Sequence, residues 1–181
     1  MFGKRKKKDI DIISRSEAPP GRITRKVPEL MTWYRSVVGN REYQQDALFV
    51  SGSRKLAANK RTRILAVVCD GMGGMADGGR ASRKAIDMMV QGFQRVEKAP
   101  NLNIPRFFQE GIYAIDQAIA SFPKEGAKGS GTTMVACIAE DNRLYWASVG
   151  DSRLYIIRGT QMKQATRDHN YELRLKEMRA A

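Results

Sequence analysis

The residues from Val67 to Gly74, VVCDGMGG, decide how this chain folds. They close a continuous apolar run, Ile64 to Cys69, which predicts a β-strand covered on both faces. Asp70 follows this strand at once, and three of the next four residues are glycines. An ionised carboxylate at the end of a buried strand is unfavourable unless it is paired or bound to a metal ion. The glycines allow backbone groups to come close to whatever the carboxylate holds.

The composition is that of a globular domain without a membrane span. The chain has 181 residues, of which 42% are hydrophobic, enough to bury the core of one domain. No apolar run approaches the roughly 18 residues of a transmembrane helix, and no apolar segment follows the N-terminal lysines as in a secretory signal. Both cysteines, Cys69 and Cys137, lie in apolar runs without zinc-ligand spacing. We therefore expect buried thiols in a cytoplasmic protein.

The chain is strongly basic, with a formal net charge of +13. A charge of this size is typical of nucleic-acid-binding proteins. Beyond the lysine-rich N-terminus, however, the positive charge is spread along the chain, and no RNP-like strand or zinc-finger spacing accompanies it. The pattern favours a solvated basic surface over a nucleic-acid site, and such a surface also suits acidic or phosphorylated partners.

The chain divides into two regions of different composition. Residues 1–30 combine the lysine run with three prolines and a glycine between positions 19 and 28. This composition opposes packing, and we expect a basic, flexible N-terminal tail that could contact acidic partners. Residues 31–181 have the alternation of apolar and polar residues expected of a globular domain.

The globular region predicts an α+β fold. Apolar residues recur at three- and four-residue steps from Ala81 to Val96 and from Pro105 to Phe122, which predicts two helices with one face in the core. The order of elements favours helices stacked on a sheet over a regular βαβ repeat. The predicted strands are Ala47–Val50, Ile64–Cys69, Met134–Ala139, Leu144–Val149 and Leu154–Ile157, the last three forming a meander. Residues 51–63 are predicted to be a hairpin-like loop, residues 129–133 and 141–142 turns, and residues 171–181 an amphipathic helix.

Local sequence leaves three functions open for Asp70. Gly71, Gly73 and Ala76 satisfy the dinucleotide-binding pattern G-x-G-x-x-A, although an aspartate before its first glycine would repel a pyrophosphate. Asp70 could instead cap the helix that follows. The third function is metal binding, because Mg²⁺ and similar cations take carboxylate and carbonyl oxygens as ligands.

Two further aspartates support metal binding. Asp46 directly precedes a predicted strand, and Asp151 lies in the predicted turn between two others. Three aspartates at strand ends could converge on one edge of the sheet.

Four segments resemble the metal-dependent protein phosphatases of the PP2C (PPM) family in their bacterial form. They are GNREYQQDALFV from Gly39, VVCDGMGGMADGGRAS from Val67, GSGTTMVACIAEDNRLYWASVGDSRLYIIRG from Gly129 and QATRDHNY from Gln164. The resemblance implies an α-β-β-α sandwich. It also implies Mn²⁺- or Mg²⁺-dependent hydrolysis of phosphoserine and phosphothreonine in protein substrates of a Ser/Thr kinase, with two or three metal ions.

The resemblance also implies roles for individual residues. Asp70 matches the aspartate that bridges two metal ions and positions the nucleophilic water, and Gly71 supplies a ligating carbonyl. Asp46 matches an acidic residue near the second metal, and Asp151 one linked to a third. Arg41 matches the arginine that binds the substrate phosphate, which suits the bidentate geometry of a guanidinium.

This chain departs from the family pattern in two respects. Gln45 replaces a glutamate, which removes a negative charge from the outer metal shell. The family domain also extends well past the end of this sequence, so we expect residues 31–181 to be the N-terminal portion of a domain truncated after about two-thirds. We therefore expect weak or no activity from this chain alone. The alternatives are a non-catalytic phosphoprotein-binding or regulatory module, and a nucleic-acid binder. Asp168 and His169 are expected to be structural.

Overall fold

The computed structural model describes residues 11–14, 31–52, 54–56, 61–72, 75–122, 129–140 and 143–169. The predicted turn at residues 141–142 and the predicted helix at residues 171–181 lie outside these ranges, as do Gly73 and Gly74. Within them the chain forms a large sheet, two helices and a separate two-stranded sheet. The α+β class is therefore confirmed.

The large sheet is the frame of the fold. Its strands are β1 (Asp11–Ser14), β2 (Asp46–Val50), β3 (Arg54–Leu56), β4 (Arg61–Met72), β5 (Gly131–Thr132), β6 (Met134–Glu140) and β7 (Arg143–Val149). Hydrogen-bonded neighbours follow the order β1-β7-β6-β4-β2, and the short strands β3 and β5 also pair with β4. Every pairing is antiparallel among the described residues. β4, which carries Asp70, thus pairs with four other strands, β2, β3, β5 and β6.

Two helices cover one face of this sheet. They are α1 (Met75–Val96) and α2 (Ile104–Ala120). α2 begins where its sequence predicts, because the Asn103 side chain accepts a hydrogen bond from the Arg106 N–H at 3.1 Å and proline occupies the first turn. The predicted apolar stripe of α2 is buried; its residues are Ile104, Phe108, Ile112, Ile115 and Ile119. Neither described helix is both long and apolar enough to span a bilayer.

The alternation of β-strand side chains separates the core from the candidate site. Leu65, Val67 and Cys69 of β4 point toward the helices and are almost fully buried. Successive side chains of a strand point to opposite faces, so Val68 and Asp70 lie on the other face, where both are exposed. Asp46 lies on that face too, because its neighbour Ala47 packs against the core.

A buried arginine connects β4 to the segment between the two helices. Arg63 is 3% exposed. Its Nε donates to Glu140 Oε1 at 2.7 Å, and its Nη1 donates to the carbonyl oxygens of Glu97 and Ala99, each at 2.7 Å. Because those carbonyls follow the end of α1, Arg63 joins β4, β6 and the connection between the helices.

The predicted hairpin-like loop at residues 51–63 contains a strand pair, because β3 pairs antiparallel with the start of β4. Two other predictions about the strands were wrong. The predicted turn at residues 129–133 contains β5, which extends the pairing of β4 past Asp70. The last predicted strand does not complete a meander, because β8 (Tyr155–Arg158) pairs with β9 (Gln161–Gln164) in a separate hairpin. A local pattern predicts a strand but does not identify the strand that pairs with it.

The predicted tail also contains a strand. Residues Asp11–Ser14 form β1, which pairs with β7 in the register Asp11↔Ser148. The expectation of a flexible tail is therefore wrong for these four residues. The remainder of residues 1–30 lies outside the described ranges, and the domain boundary at residue 30 stays a prediction.

Candidate metal and phosphate site

Asp46 and Asp70 lie directly opposite each other on neighbouring strands. The antiparallel register of β2 and β4 pairs Asp46 with Asp70. Burial and the adjacent Asp46 carboxylate, through its charge and a hydrogen bond, raise the pKa of Asp70. Arg41 opposes this shift in pKa, and Asp151 adds to it. The four charged residues therefore lie within electrostatic reach of one another at one end of the sheet.

A positive charge between the Asp46 and Asp70 carboxylates would stabilise this arrangement. Like charges that face each other across a strand pair are destabilising, and one carboxyl of such a pair tends to hold a proton. A divalent cation would relieve the same repulsion without a proton. The chemistry of the donors thus fits a hard cation such as Mg²⁺ or Mn²⁺.

Two threonines fix the backbone at Asp70. The Asp70 N–H donates to Thr133 Oγ1 at 3.0 Å, and the Thr133 N–H donates to the Asp70 carbonyl at 2.8 Å. Thr132 Oγ1 donates to the same carbonyl at 2.9 Å. Asp70 is therefore held in place through its main chain, which leaves its carboxylate available for a ligand.

Gly71 occupies a position that admits no side chain. A Cβ there would overlap the carbonyl group of Gly78 in α1 and lie 2.8 Å from the Gln45 carbonyl oxygen. The Gly71 N–H donates to that Gln45 oxygen at 3.2 Å, and Ser82 Oγ of α1 donates to it at 2.5 Å. The close approach of β4, α1 and the segment before β2 therefore requires glycine at position 71.

The turn that carries Asp151 is fixed by contacts on both sides. Ser152 Oγ lies 2.6 Å from Thr133 Oγ1, and the His169 N–H donates to the Gly150 carbonyl at 2.8 Å. Gly150 has φ +93°, a conformation that favours glycine. The Thr133 hydroxyl therefore links the backbone of Asp70 to the Asp151 turn.

Asp168 has the contacts of a structural residue. Arg153 Nε donates to both of its carboxylate oxygens, at 2.9 and 3.1 Å, and Arg153 Nη2 donates to Oδ2 at 2.5 Å. This pairing lowers the pKa of Asp168. It ties the connection after the Asp151 turn to the segment after β9, as expected for a structural Asp168.

Arg41 lies on the exposed segment that leads into β2. A turn at Gly39, with φ +63°, brings the Arg41 N–H to 3.4 Å from the Val38 carbonyl. Gln44 Oε1 accepts a hydrogen bond from the Asp46 N–H at 3.2 Å. The segment thus carries an exposed guanidinium and the first carboxylate of the site together.

The structure brings the predicted residues to one edge of the sheet but does not complete a metal centre. Among the described residues, no group of three or more His, Cys, Asp or Glu side chains is placed to hold a metal ion. Asp46 and Asp70 form a pair beside Gly71, while Asp151 and Arg41 act on Asp70 through their charges. The three aspartates lie within electrostatic reach of one another at this edge, and their roles as metal ligands stay a prediction.

Three hydroxyl residues that support the site were not predicted from the sequence. Thr132, Thr133 and Ser82 hold the main chain around Asp70 and Gln45. These residues lie in the hydroxyl-rich segments GSGTT and GRAS. The segments indicate that hydroxyl groups are available for hydrogen bonds, but the sequence does not show which distant backbone groups they contact.

Neither local alternative for Asp70 agrees with the geometry. Asp70 lies within β4, whereas α1 begins at Met75, so Asp70 does not precede the helix as a cap would. The described neighbours of β4 are all antiparallel, unlike the parallel sheet of a dinucleotide-binding βαβ unit.

The cysteines have no properties of a nucleophile. Both are free, and burial raises the pKa of Cys69 to about 12 and also raises that of Cys137. A thiol with a raised pKa stays protonated and unreactive near neutral pH.

The comparisons with known proteins identify the family. The model of the Protein phosphatase 2C family matches residues 35–179. The chain therefore belongs to this family, whose members depend on metal ions.

Relatives and solved structures agree with this assignment. The serine/threonine phosphatase stp of Listeria innocua is 30% identical over 115 residues, which are 62% of this chain and 46% of that protein. The PPM Ser-Thr phosphatase MsPP from Mycobacterium smegmatis, solved in complex with cacodylate, is 28% identical with a TM-score of 0.58, and the match covers 78% of this chain and 54% of that one.

The catalytic domain of the phosphatase PstP, solved in complex with two manganese ions, shares the fold. It is 24% identical, with a TM-score of 0.61 over 95% of this chain and 61% of that one. The chain spans about half the length of the curated relatives it matches.

Proposed function

We propose that this chain carries part of the active site of a protein serine/threonine phosphatase. The reaction is hydrolysis of phosphoserine and phosphothreonine in protein substrates with Mn²⁺ or Mg²⁺. The observation that carries the proposal is the cross-strand pair of Asp46 and Asp70, next to a glycine that contacts α1, in a chain of the Protein phosphatase 2C family.

Asp46, Asp70 and the Gly71 carbonyl are the proposed ligands of the metal ions, with Asp151 serving a further ion. The raised pKa of Asp70 supports this assignment, because it reflects crowded negative charge that a cation would neutralise. Bound metal would supply an activated water and neutralise charge on the phosphoryl group. The PstP structure contains two manganese ions.

Arg41 is the proposed site for the substrate phosphate. Its guanidinium is exposed on the segment before β2, and its charge reaches Asp70. A planar guanidinium binds two oxygens of a phosphate at once. Arg41 would therefore orient the phosphoryl group toward the two carboxylates and whatever they hold.

A non-catalytic phosphoprotein-binding module is the second candidate. Gln45 in place of the family's glutamate favours it, as does the lack of a three-ligand group among the described residues. For both candidate functions, we place the protein in the cytoplasm, where it would recognise proteins phosphorylated by a Ser/Thr kinase. The two free, unreactive thiols support that compartment.

Manganese titration by calorimetry, together with hydrolysis of a phosphothreonine peptide, tests the proposal. The chain is compared with the Asp70→Asn variant and with a control, Glu110→Gln, which removes one carboxylate from the exposed Arg106–Glu110 pair on α2. We expect Asp70→Asn alone to lose manganese binding, together with the weak turnover of the unaltered chain. Turnover that Asp70→Asn abolishes would exclude the non-catalytic module. Equal manganese binding by the Asp70→Asn variant and the control would refute the assignment of Asp70.

A further inference from the structure

An open groove runs along the exposed side of α1. It is lined by Arg80, Arg83, Lys84, Asp87 and Phe122 and has a volume of about 310 Å³. We call it the α1 groove. Its four α1 residues follow helical spacing, so their side chains share one face of the helix.

The α1 groove carries an excess of positive charge. The Arg80 guanidinium lies 4.3 Å from the centre of the Phe122 ring, a cation–π contact that holds it at the edge of the groove. Within the described part of the chain, Arg83 and Lys84 make no ion pair. Among the described residues that line the groove, Asp87, at its C-terminal end, is the one acidic residue. The groove therefore suits an anionic ligand that lies toward the start of α1.

The positive end of the groove adjoins the candidate site. The Arg83 guanidinium and the Gln44 carbonyl both lie against Gly79, at 3.1 and 3.2 Å from the position of a Cβ there. The neighbouring Ser82 is hydrogen-bonded to the Gln45 carbonyl. A ligand in the groove would therefore lie beside the segment that leads directly into Asp46.

We propose that the α1 groove docks acidic side chains that flank the phosphorylated residue of a protein substrate. This inference rests on the proposed phosphatase function and adds a substrate preference to it. One helical turn from Arg80 to Lys84 rises about 6 Å. Alternate residues of an extended peptide are about 6.6 Å apart. Of two acidic residues at positions i and i+2 of an extended peptide, one would therefore face Arg80 and the other would face Arg83 and Lys84.

A single-stranded nucleic acid fits the groove less well. Such ligands need a row of aromatic side chains on which successive bases stack, and a basic path for the backbone. Phe122 is the one aromatic residue in the described lining of the groove, and Arg80 covers its ring. Asp87 also interrupts the positive charge. An acidic peptide requires none of these features.

Fluorescence polarisation with a labelled, unphosphorylated peptide tests the docking directly. The peptide carries glutamate at two alternate positions, and a second peptide carries glutamine there. We expect the double variant Arg83→Ala/Lys84→Ala to bind the glutamate peptide about 2- to 30-fold more weakly, because it loses two exposed ion pairs. The matched control is Arg95→Ala/Lys98→Ala, which removes the same charge from exposed positions near the other end of α1.

The outcomes separate docking from catalysis and from general charge attraction. We expect the Asp70→Asn variant to keep its affinity for the glutamate peptide, because it alters the metal site and not the groove. We expect the Arg83→Glu/Lys84→Glu variant to prefer a peptide with lysines at the same positions. An equal loss of affinity in the Arg83/Lys84 and Arg95/Lys98 variants would overturn the proposal, as would equal binding of the glutamate and glutamine peptides. The proposal would also be overturned if the Arg83→Ala/Lys84→Ala variant lost affinity for an oligonucleotide but not for the glutamate peptide.

Discussion

The Gly71→Ala variant gives the sharpest test of how the site is built. Its new methyl group would overlap the Gly78 carbonyl and lie 2.8 Å from the Gln45 carbonyl oxygen. Both obstacles are backbone atoms, which no rotamer change can move aside. The first turns of α1 must therefore shift away from β4, or the segment before β2 must move.

The expected loss of stability follows from two contributions. Overpacking of this kind costs about 1–3 kcal/mol. The hydrogen bonds that Gly71 and Ser82 make to the Gln45 carbonyl would also weaken, at about 0.5–1.5 kcal/mol each. We expect the free energy of unfolding to fall by about 3 kcal/mol. For a chain of this size that lowers the Tm by about 6–12 °C.

Thermal unfolding followed by circular dichroism measures the effect, and Gly52→Ala is the matched control. Gly52 has no atom within 4 Å of a new Cβ, so the same substitution there should leave the Tm unchanged or slightly higher. Calorimetry should also show weaker manganese binding by Gly71→Ala, because Gly71 and Gln45 adjoin the two carboxylates. If Gly71→Ala unfolds at the same temperature as Gly52→Ala, the packing described around Gln45 is wrong.

Three further predictions concern stability and pH. Arg63→Met should lower the free energy of unfolding by about 3 kcal/mol in urea denaturation, because it leaves the Glu140 carboxylate without its buried partner; a loss below about 1 kcal/mol would contradict this. The Arg153–Asp168 pair should stabilise the chain above about pH 4, the pKa of an aspartate in an unfolded chain. This stabilisation should be lost as the pH falls further, because the pKa of Asp168 is lowered in the folded chain and protonation therefore favours unfolding. Tm values of wild type and Asp168→Asn should therefore differ at neutral pH and converge in acid; a constant difference would exclude this linkage. Gly92→Ala should raise stability by about 0.5–1 kcal/mol, since it lies inside α1 and its new methyl meets its nearest neighbour at an ordinary 3.5 Å; a lower Tm would show that the contact is tighter.

The sequence predicted those features that depend on residues close together in the chain. The apolar stripe of α2 and the proline in its first turn predicted the helix correctly, and Asn103 caps it. Continuous apolar runs predicted β4 and β6, although β4 is longer than its run. Periodicity of 3.6 or 2 residues is a local property, so it can be recognised without knowing the fold.

The strand pairings could not be predicted in this way. The last predicted strand has the pattern of a sheet strand, yet it pairs with β9 rather than β7. Arg63 is one of several basic residues in an apparent loop, yet its guanidinium is buried against Glu140 and two carbonyl oxygens. In both cases the outcome depends on which distant groups remain available for pairing, and a local window contains no information about them.

The same division applies to the candidate site. Most of the helices and strands could be recognised from the sequence, as could the family resemblance and the candidates Arg41, Asp46, Asp70, Gly71 and Asp151. The structure was needed to show that Asp46 faces Asp70 across two strands, that Thr133 joins Asp70 to the Asp151 turn, and that Gly71 has no room for a side chain. The types of local elements follow from side-chain chemistry along the chain. Strand register and close backbone approach are instead set by the simultaneous packing of the strands and helices around the core.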